Sequence, residues 1–405
     1  MPHRLTTALA LAALTALTPR AHAQATPRLV ELRAANLVVA RERVRAHDPR
    51  YTAAYDALVA DANRALGAGP WSVMDKQLMP ESGDRHDYMS FGRYWWPDST
   101  KPNGLPYIKR DGQSNPANRL DSDAQRFADL NDAAFTLALA WWFTGDERYA
   151  ARAALDLRRW FVDPATRMNP NLRYAQAVPG INAGRGIGIL DLRDMSRIAD
   201  AVGLLQNSPS WSAADDAAMR TWSRDLLGWL QTSKEGRDER AEKNNHGSWY
   251  DEQLAAVALF VGDSALARST ANEAGPNRVA RQVRPDGAQP EELARTRSFT
   301  YTLFNADALS RLAEIGAHAG ATLWTYRAPS GASLRAALAY AAPYADSARH
   351  WPGQQITKAS PAELLLPLRR AAAALGTHDF DGAIAALPAA LRAADRSRLL
   401  YPDVP

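Results

Sequence analysis

The sequence predicts an all-α protein, an (α/α)n toroid or incomplete barrel built from helical hairpins. Three observations carry this expectation. Apolar residues recur at alternating steps of three and four through most of the chain, the period of one helix face. Alternating, β-branched runs of the kind that make strands are almost absent. Short turn signals separate the helical stretches with no repeat of fixed length, which suits hairpins set in a ring better than an open solenoid.

The chain opens with a segment that reads as a secretory signal. Arg4 supplies the positive start, residues 5–17 are apolar, and Ala21-His22-Ala23 is a small-x-small cleavage site. The apolar run is too short to span a bilayer and is followed by Pro19 and Arg20, so no membrane anchor is expected. Cleavage after Ala23 leaves residues 24–405 as one domain, in the periplasm or outside the cell. The chain has no cysteine, which excludes a disulfide framework and a lipoprotein anchor. Without Arg4 and Arg20, 46 basic residues face 44 acidic ones. With no Lys/Arg-rich run, nucleic acid is not an expected partner. Twelve Trp and thirteen Tyr point instead to carbohydrate, because aromatic faces stack on sugar rings. Oligomeric state is not legible.

Residues 29–44 and 51–66 are Ala-rich and helical in pattern, separated by His47-Asp48-Pro49. Residues 71–120 lose the period and are rich in Pro, Gly, Asn and Asp. They hold His86-Asp87-Tyr88, Tyr94-Trp95-Trp96, Lys101 and Lys109. A loop this long in a compact domain is functional or disordered, and its aromatics argue against disorder. The reading is a substrate-binding lid. From Asp121 the helices return: Phe127, Leu130, Ala134, Leu137 and Trp141 mark one, and residues 149–161 its partner. Residues 164–188 form a second polar loop carrying Asn169, Arg173, Tyr174 and Gln176. Its Gly184-Arg185-Gly186-Ile187-Gly188 follows no strand and is not read as a dinucleotide loop. Further helices are expected around 192–205, 219–229, 250–261, 265–281, 298–319, 332–349, 362–375 and 381–396.

Two clusters carry chemistry. Residues 244–252, Asn-Asn-His-Gly-Ser-Trp-Tyr-Asp-Glu, gather amides, an imidazole, a phenol and carboxylates where a loop turns into a helix. Paired Asn residues are good caps, and a helix start is suited to hold an anion. The second cluster runs from Glu291 and Glu292 through Arg295 and Arg297 to Tyr301. The four-residue step puts Tyr301 on Arg297's face if a helix covers both; a helix beginning near Ser298 frees Arg295 to reach a common site.

Asn244-Asn245-His246, together with Glu292-Leu293-Ala294-Arg295 and Tyr301 in an exported all-α chain, resembles the alginate lyase superfamily of polysaccharide lyases. The continuation from His246 to Asp251 is similar to the branch that includes β-1,4-glucuronan (cellouronate) lyases beside alginate lyases. The resemblance spans residues 88–323. It implies an α/α toroid with a substrate cleft, in which Asn245, His246 and Arg295 hold the substrate carboxylate and Tyr301 is the catalytic phenol. In the better-known alginate lyases an aromatic or His pair surrounds that tyrosine; here its neighbours are Thr300 and Thr302.

The chemistry is consistent with those roles. β-Elimination across C4–C5 of a uronate removes a weakly acidic proton beside a carboxylate, and the developing dianion needs convergent cations and amide donors. A phenol with a reference pKa near ~10 needs Arg295 or Arg297 close by to favour phenolate. In β-D-mannuronate and β-D-glucuronate the C5 hydrogen and C4 oxygen share a face, so one residue can take the proton and return it. Guluronate, the C5 epimer, needs groups on opposite faces, with His246 a candidate base. Candidate substrate contacts are Asn244, Arg297, Tyr250, His86, Tyr88, Tyr94, Trp95, Trp96, Lys101, Arg173 and Tyr174. The remaining histidines lack metal-ligand spacing, so neither metal nor cofactor is expected. Two other classes fit parts of the pattern: a glycoside hydrolase using Asp251, Glu252, Glu291 or Glu292, and a glycan-binding protein using only the aromatic loop.

Overall fold

The computed structural model describes residues 26–405; the signal reading at residues 1–23 lies outside them. Helices form where the apolar period runs unbroken, and stop at identifiable residues. α1 (Ala34–Arg45) and α2 (Pro49–Ala65) flank the turn at His47, with Asp48 accepting the Arg50 N–H and Pro49 in the first turn. α3 (Asp123–Thr144) is capped by Ser122 and ended by Gly145, whose φ of 74° makes the left-handed cap. There follow α4 (Glu147–Leu157), α5 (Met195–Leu205), α6 (Ala213–Thr232), α7 (Lys234–Ala241), α8 (Asn245–Val261) and α9 (Ser264–Ala274). The single turns α10 (Ala280–Gln282) and α11 (Pro290–Leu293) lead into α12 (Ser298–His318). α13 (Leu334–Ala341), α14 (Leu365–Leu375), α15 (Asp381–Ala386), α16 (Ala389–Ala394) and α17 (Ser397–Leu400) complete the chain.

The helices close a ring. α2 packs on α3, α3 on α5, α5 on α8, α8 on α12, α12 on α14, α14 on α17, and α17 back on α1 and α2. α3, α5, α8 and α12 are buried almost all round. Their partners α4 and α6 bury one face, as the inner and outer layers of a toroid require. At the seam, Tyr51 Oη donates to the Pro402 carbonyl at 2.7 Å and Asn36 Nδ2 to that of Leu400 at 3.0 Å. Arg370 bridges Glu31 at 2.8 Å and Asp307 at 2.6 Å.

Three sequence expectations change. Pro388 lies between α15 and α16, so residues 381–396 form two short helices; Pro343 leaves residues 332–349 as α13 and a 3₁₀ turn. α7 is a helix that no apolar period announced. Residues 71–120 and 164–188 are structured by short strands: β1 (Met89–Phe91) pairs in parallel with β4 (Tyr174–Ala177), and β2 (Trp95–Trp96) pairs antiparallel with β3 (Ile108–Lys109). Among the described residues, no helix is long and apolar enough to cross a membrane.

Candidate active site

A cleft of about 610 Å³ opens where the starts of α8 and α12 meet residues 93–119 and 176–194. Asn244 caps α8, its Oδ1 accepting the His246 N–H at 2.9 Å. The cap orients the first turn so that His246 reaches the cleft with its Nδ1 2.8 Å from Oε1 of Glu239 on α7. Glu239 is fully buried; burial pushes its carboxyl up, and His246 pulls it back down. A carboxylate at Nδ1 fixes the proton there and leaves Nε2 for the cleft. Gly247 is required by close packing, since a Cβ would sit 2.3 Å from both the Arg278 guanidinium and the Glu242 carbonyl.

At the start of α12, Tyr301 Oη donates to Tyr94 Oη at 2.8 Å. The Arg295 guanidinium lies 3.7 Å from the centre of the Tyr301 ring and pairs with Asp111 at 2.6 Å. Against the burial that raises it, bonds from Arg295 and Thr296 bring Asp111 down to about 2. Burial and then Tyr94 push Tyr301 above the ordinary phenol range, with Arg295 acting in the opposite direction. Tyr301 therefore rests protonated. The expectation that a nearby arginine makes it phenolate is corrected: Arg295 faces the ring rather than the hydroxyl, and its charge is shared with Asp111.

Seven cationic side chains and three carboxylates line the cleft. Asp194 is held by Arg311 at 3.0 Å, and Asp191 accepts from Ser90, Gln176 and Tyr88. Gln176 has a φ of 49°, a costly conformation for a side chain. The Arg185 Nε bond to its carbonyl at 2.9 Å, the Ser90 Oγ at its N–H and Asp191 at its amide hold it there. Arg185 in turn lies over Trp95 at 5.6 Å.

A cationic cleft with a phenol, an imidazole and a guanidinium at its floor suits an acidic polymer. The sequence profile of the alginate lyase family matches residues 72–351. The chain belongs to the alginate lyase family. It is 39% identical to an alginate lyase from Bacteroides ovatus, over 93% of this chain and 99% of that one, with a TM-score of 0.87. Alginate lyase A1-III from Sphingomonas species A1 shares the fold at 17% identity, over 86% and 95% of the two chains, with a TM-score of 0.54. A variant of A1-III complexed with a tetrasaccharide superposes with a TM-score of 0.55 at 18% identity, over the same shares. No match is found among curated protein sequences. The protein is a polysaccharide lyase with the α/α toroid fold of its family.

Of the residues singled out in the sequence, the lyase brings Asn244, His246, Arg295, Arg297, Tyr301, Tyr94, Trp95, Lys109 and Gln176 to the cleft. Asn245 is fully buried behind it; its backbone N–H and Nδ2 donate to the two oxygens of Glu292 at 2.7 and 2.8 Å. Tyr250 is core, because its hydroxyl is satisfied by the Leu230 carbonyl at 2.9 Å. Tyr88 is buried behind the wall on Asp191. His86 binds the Arg167 carbonyl, away from the cleft. Trp96 donates to the Gln113 carbonyl and stacks with Arg110. Lys101 and Arg173 are exposed elsewhere, and Tyr174 lines a separate groove beside β1. The hydrolase carboxylates fail on position. Asp251 is paired with Arg278, Glu252 is buried, Glu292 holds Asn245, Glu291 is exposed, and none lines the cleft. Sequence reasoning missed Arg93, Arg119 and Arg193 altogether. Arg185 was visible only as part of a polar, glycine-rich loop.

Proposed function

We propose that this lyase cleaves β-1,4-linked uronans, the mannuronan of alginate or glucuronan, leaving a C4–C5 unsaturated uronate, and that it does so after export to the periplasm or the medium. The observation that carries the reading is the Tyr301 hydroxyl, set in a cationic cleft with His246 and Arg295. His246 and Arg295 offset the charge that develops on the substrate carboxylate as C5 becomes a carbanion. Tyr301, once deprotonated, takes the C5 proton; the C5 electron pair forms the C4–C5 double bond, the C4–O4 bond breaks, and the phenol returns the proton to the departing O4. Arg295 against the ring lessens the cost of forming that phenolate but does not make it the resting form. Asn244 and Glu239 set the orientation of His246, and Asn245 with Glu292 steadies the turn that carries it. Residues 71–120 act as a lid, held down by Tyr94 on Tyr301 and Asp111 on Arg295.

The test is ultraviolet absorbance of the conjugated double bond on mannuronan, guluronan and glucuronan offered separately, with Tyr301→Phe run beside the wild type. A rise on mannuronan or glucuronan that vanishes in the variant supports the proposal. A rise on guluronan alone would move the base to His246. New reducing ends without absorbance would overturn the elimination.

A further inference from the structure

A groove of about 390 Å³ lies beside the cleft, along β1 and β4. Phe91 lines both and is their shared wall. A bulge divides β4 between the two. Met89 pairs with Tyr174 but Phe91 pairs with Ala177, so β4 carries an extra residue, and Gln176 with its φ of 49° lies within that step. Residues two apart on a regular strand share a face. Here Gln176 is turned to the cleft, while Tyr174 and Ala177 line the groove. Bulges beside active sites re-aim side chains in this way.

The two depressions differ in chemistry. Seven cationic side chains line the cleft; among the described residues none lines the groove, whose one charged group is Glu81. Its walls are Met79, Met89, Phe91, Tyr174 and Ile181, with Met79 and Ile181 left 49% and 54% exposed. Asn182 Oδ1 accepts the Val178 N–H at 3.2 Å, which leaves its Nδ2 to donate. The Tyr174 hydroxyl has no partner among the described residues. Apolar faces with a few uncommitted donors and acceptors suit a sugar ring. Every residue of a uronan carries a carboxylate, which an apolar, base-free wall would desolvate and Glu81 would repel. We propose that the groove is a subsite for a neutral pyranose of the same glycan, beyond the uronates held in the cleft. The preferred substrate is then a mixed acidic and neutral polysaccharide. This rests on the uronan reading above and deepens it, from any uronan to one with a neutral sugar at a fixed place relative to the bond broken.

The experiment uses oligosaccharides of whichever uronan wild type cleaves. An all-uronate oligosaccharide is compared with a set of the same length in which one uronate at a time is replaced by its neutral hexose. The readout is kcat/KM for double-bond formation. One position, away from the uronate that reacts, is expected to gain about 10-fold or more on replacement, because a carboxylate there meets an apolar, base-free wall. Tyr174→Ala should lose that gain, and Ile181→Arg, which puts a cation in the groove, should turn it into a preference for the all-uronate oligosaccharide. Each comparison is a ratio within one protein, so the amount of folded enzyme cancels. A set in which no replacement helps, or a gain that persists unchanged in either variant, overturns the neutral subsite and leaves the uronan reading standing. No double bond from any uronan or any member of the set overturns the uronan reading and the subsite with it.

Discussion

Replacing Tyr301 by Phe separates chemistry from architecture, because the structure limits what else is lost. The hydroxyl makes one hydrogen bond, 2.8 Å to Tyr94, while the ring keeps its edge contact with Phe304 and its place against Arg295. The stability lost is therefore that of one neutral bond, about 1 kcal/mol, which in a chain of this size moves the melting midpoint by roughly 1–2 °C. The proton shuttle is lost entirely. A general acid–base group contributes about 10²- to 10⁴-fold in rate, and here a single group serves both the C5 proton and O4. Tyr94→Phe is the matched control: it removes the same bond from the other side and leaves the Tyr301 hydroxyl in place. Initial rates by ultraviolet absorbance, with thermal melts of the three proteins, give the comparison. Tyr301→Phe is expected to fall at least 100-fold in kcat, and Tyr94→Phe chiefly to rise in KM. The reasoning is refuted if Tyr301→Phe keeps more than about a tenth of wild-type kcat, or if the two variants lose kcat equally.

Glu239→Gln keeps the shape but lets an amide donate to His246 Nδ1, which favours the wrong tautomer; kcat should drop about 10-fold or more at nearly unchanged melting temperature. An unchanged kcat would show that the carboxylate does not set His246. Because Tyr301 is held above the ordinary phenol range, its base form gains as pH rises, so kcat should climb through the neutral and mildly alkaline range. A rate that falls there would point to a different base. Asp111 is depressed to about 2 from 3.8, so its contribution to stability is present above about pH 4 and lost as pH falls towards 2. Asp111→Asn should cost about 1 kcal/mol at pH 7 after allowing for solvent screening, and nothing near pH 2, read by urea denaturation. Arg370→Met leaves the buried Glu31 without its cation, while Asp307 keeps Arg311 at 3.0 Å, and should cost about 3 kcal/mol, with the denaturation midpoint as the readout.

The ring was legible because apolar residues recur at steps of three and four along inner and outer helices alike, a pattern that survives without knowledge of contacts. α7 was not legible, since Lys-Glu-Gly-Arg-Asp-Glu-Arg has no apolar face. It exists because Ser233 caps it and Gly236 packs where a Cβ would sit 1.9 Å from the Leu230 carbonyl. His246 and Tyr301 stood out because each lies in a dense polar cluster at a helix start. Tyr250 was misread for a related reason: the three–four spacing that puts a phenol on a helix face does not distinguish core from cleft, and the Leu230 carbonyl decides. Arg93, Arg119 and Arg193 are dispersed over a hundred residues, each resembling a surface arginine until strands, loops and helix ends bring them together. Asn245 shows the converse, a residue of the right type turned away by a buried glutamate forty-seven positions on.

The seam of the ring has a consequence for how the chain reaches its native state. Tyr51 meets Pro402, Asn36 meets Leu400, and Glu31 meets Arg370, pairs separated by more than 300 positions. Contacts of such separation carry the greatest loop-closure cost and form late. Hairpins along the chain can assemble as they are made, but the circle is complete only when residues 397–405 arrive. Deleting those nine residues removes α17 and unsatisfies the Tyr51 hydroxyl. The prediction is slow, aggregation-prone refolding and early proteolysis near α1 and α2; a truncated chain that refolds at the wild-type rate would show that closure is not the slow event.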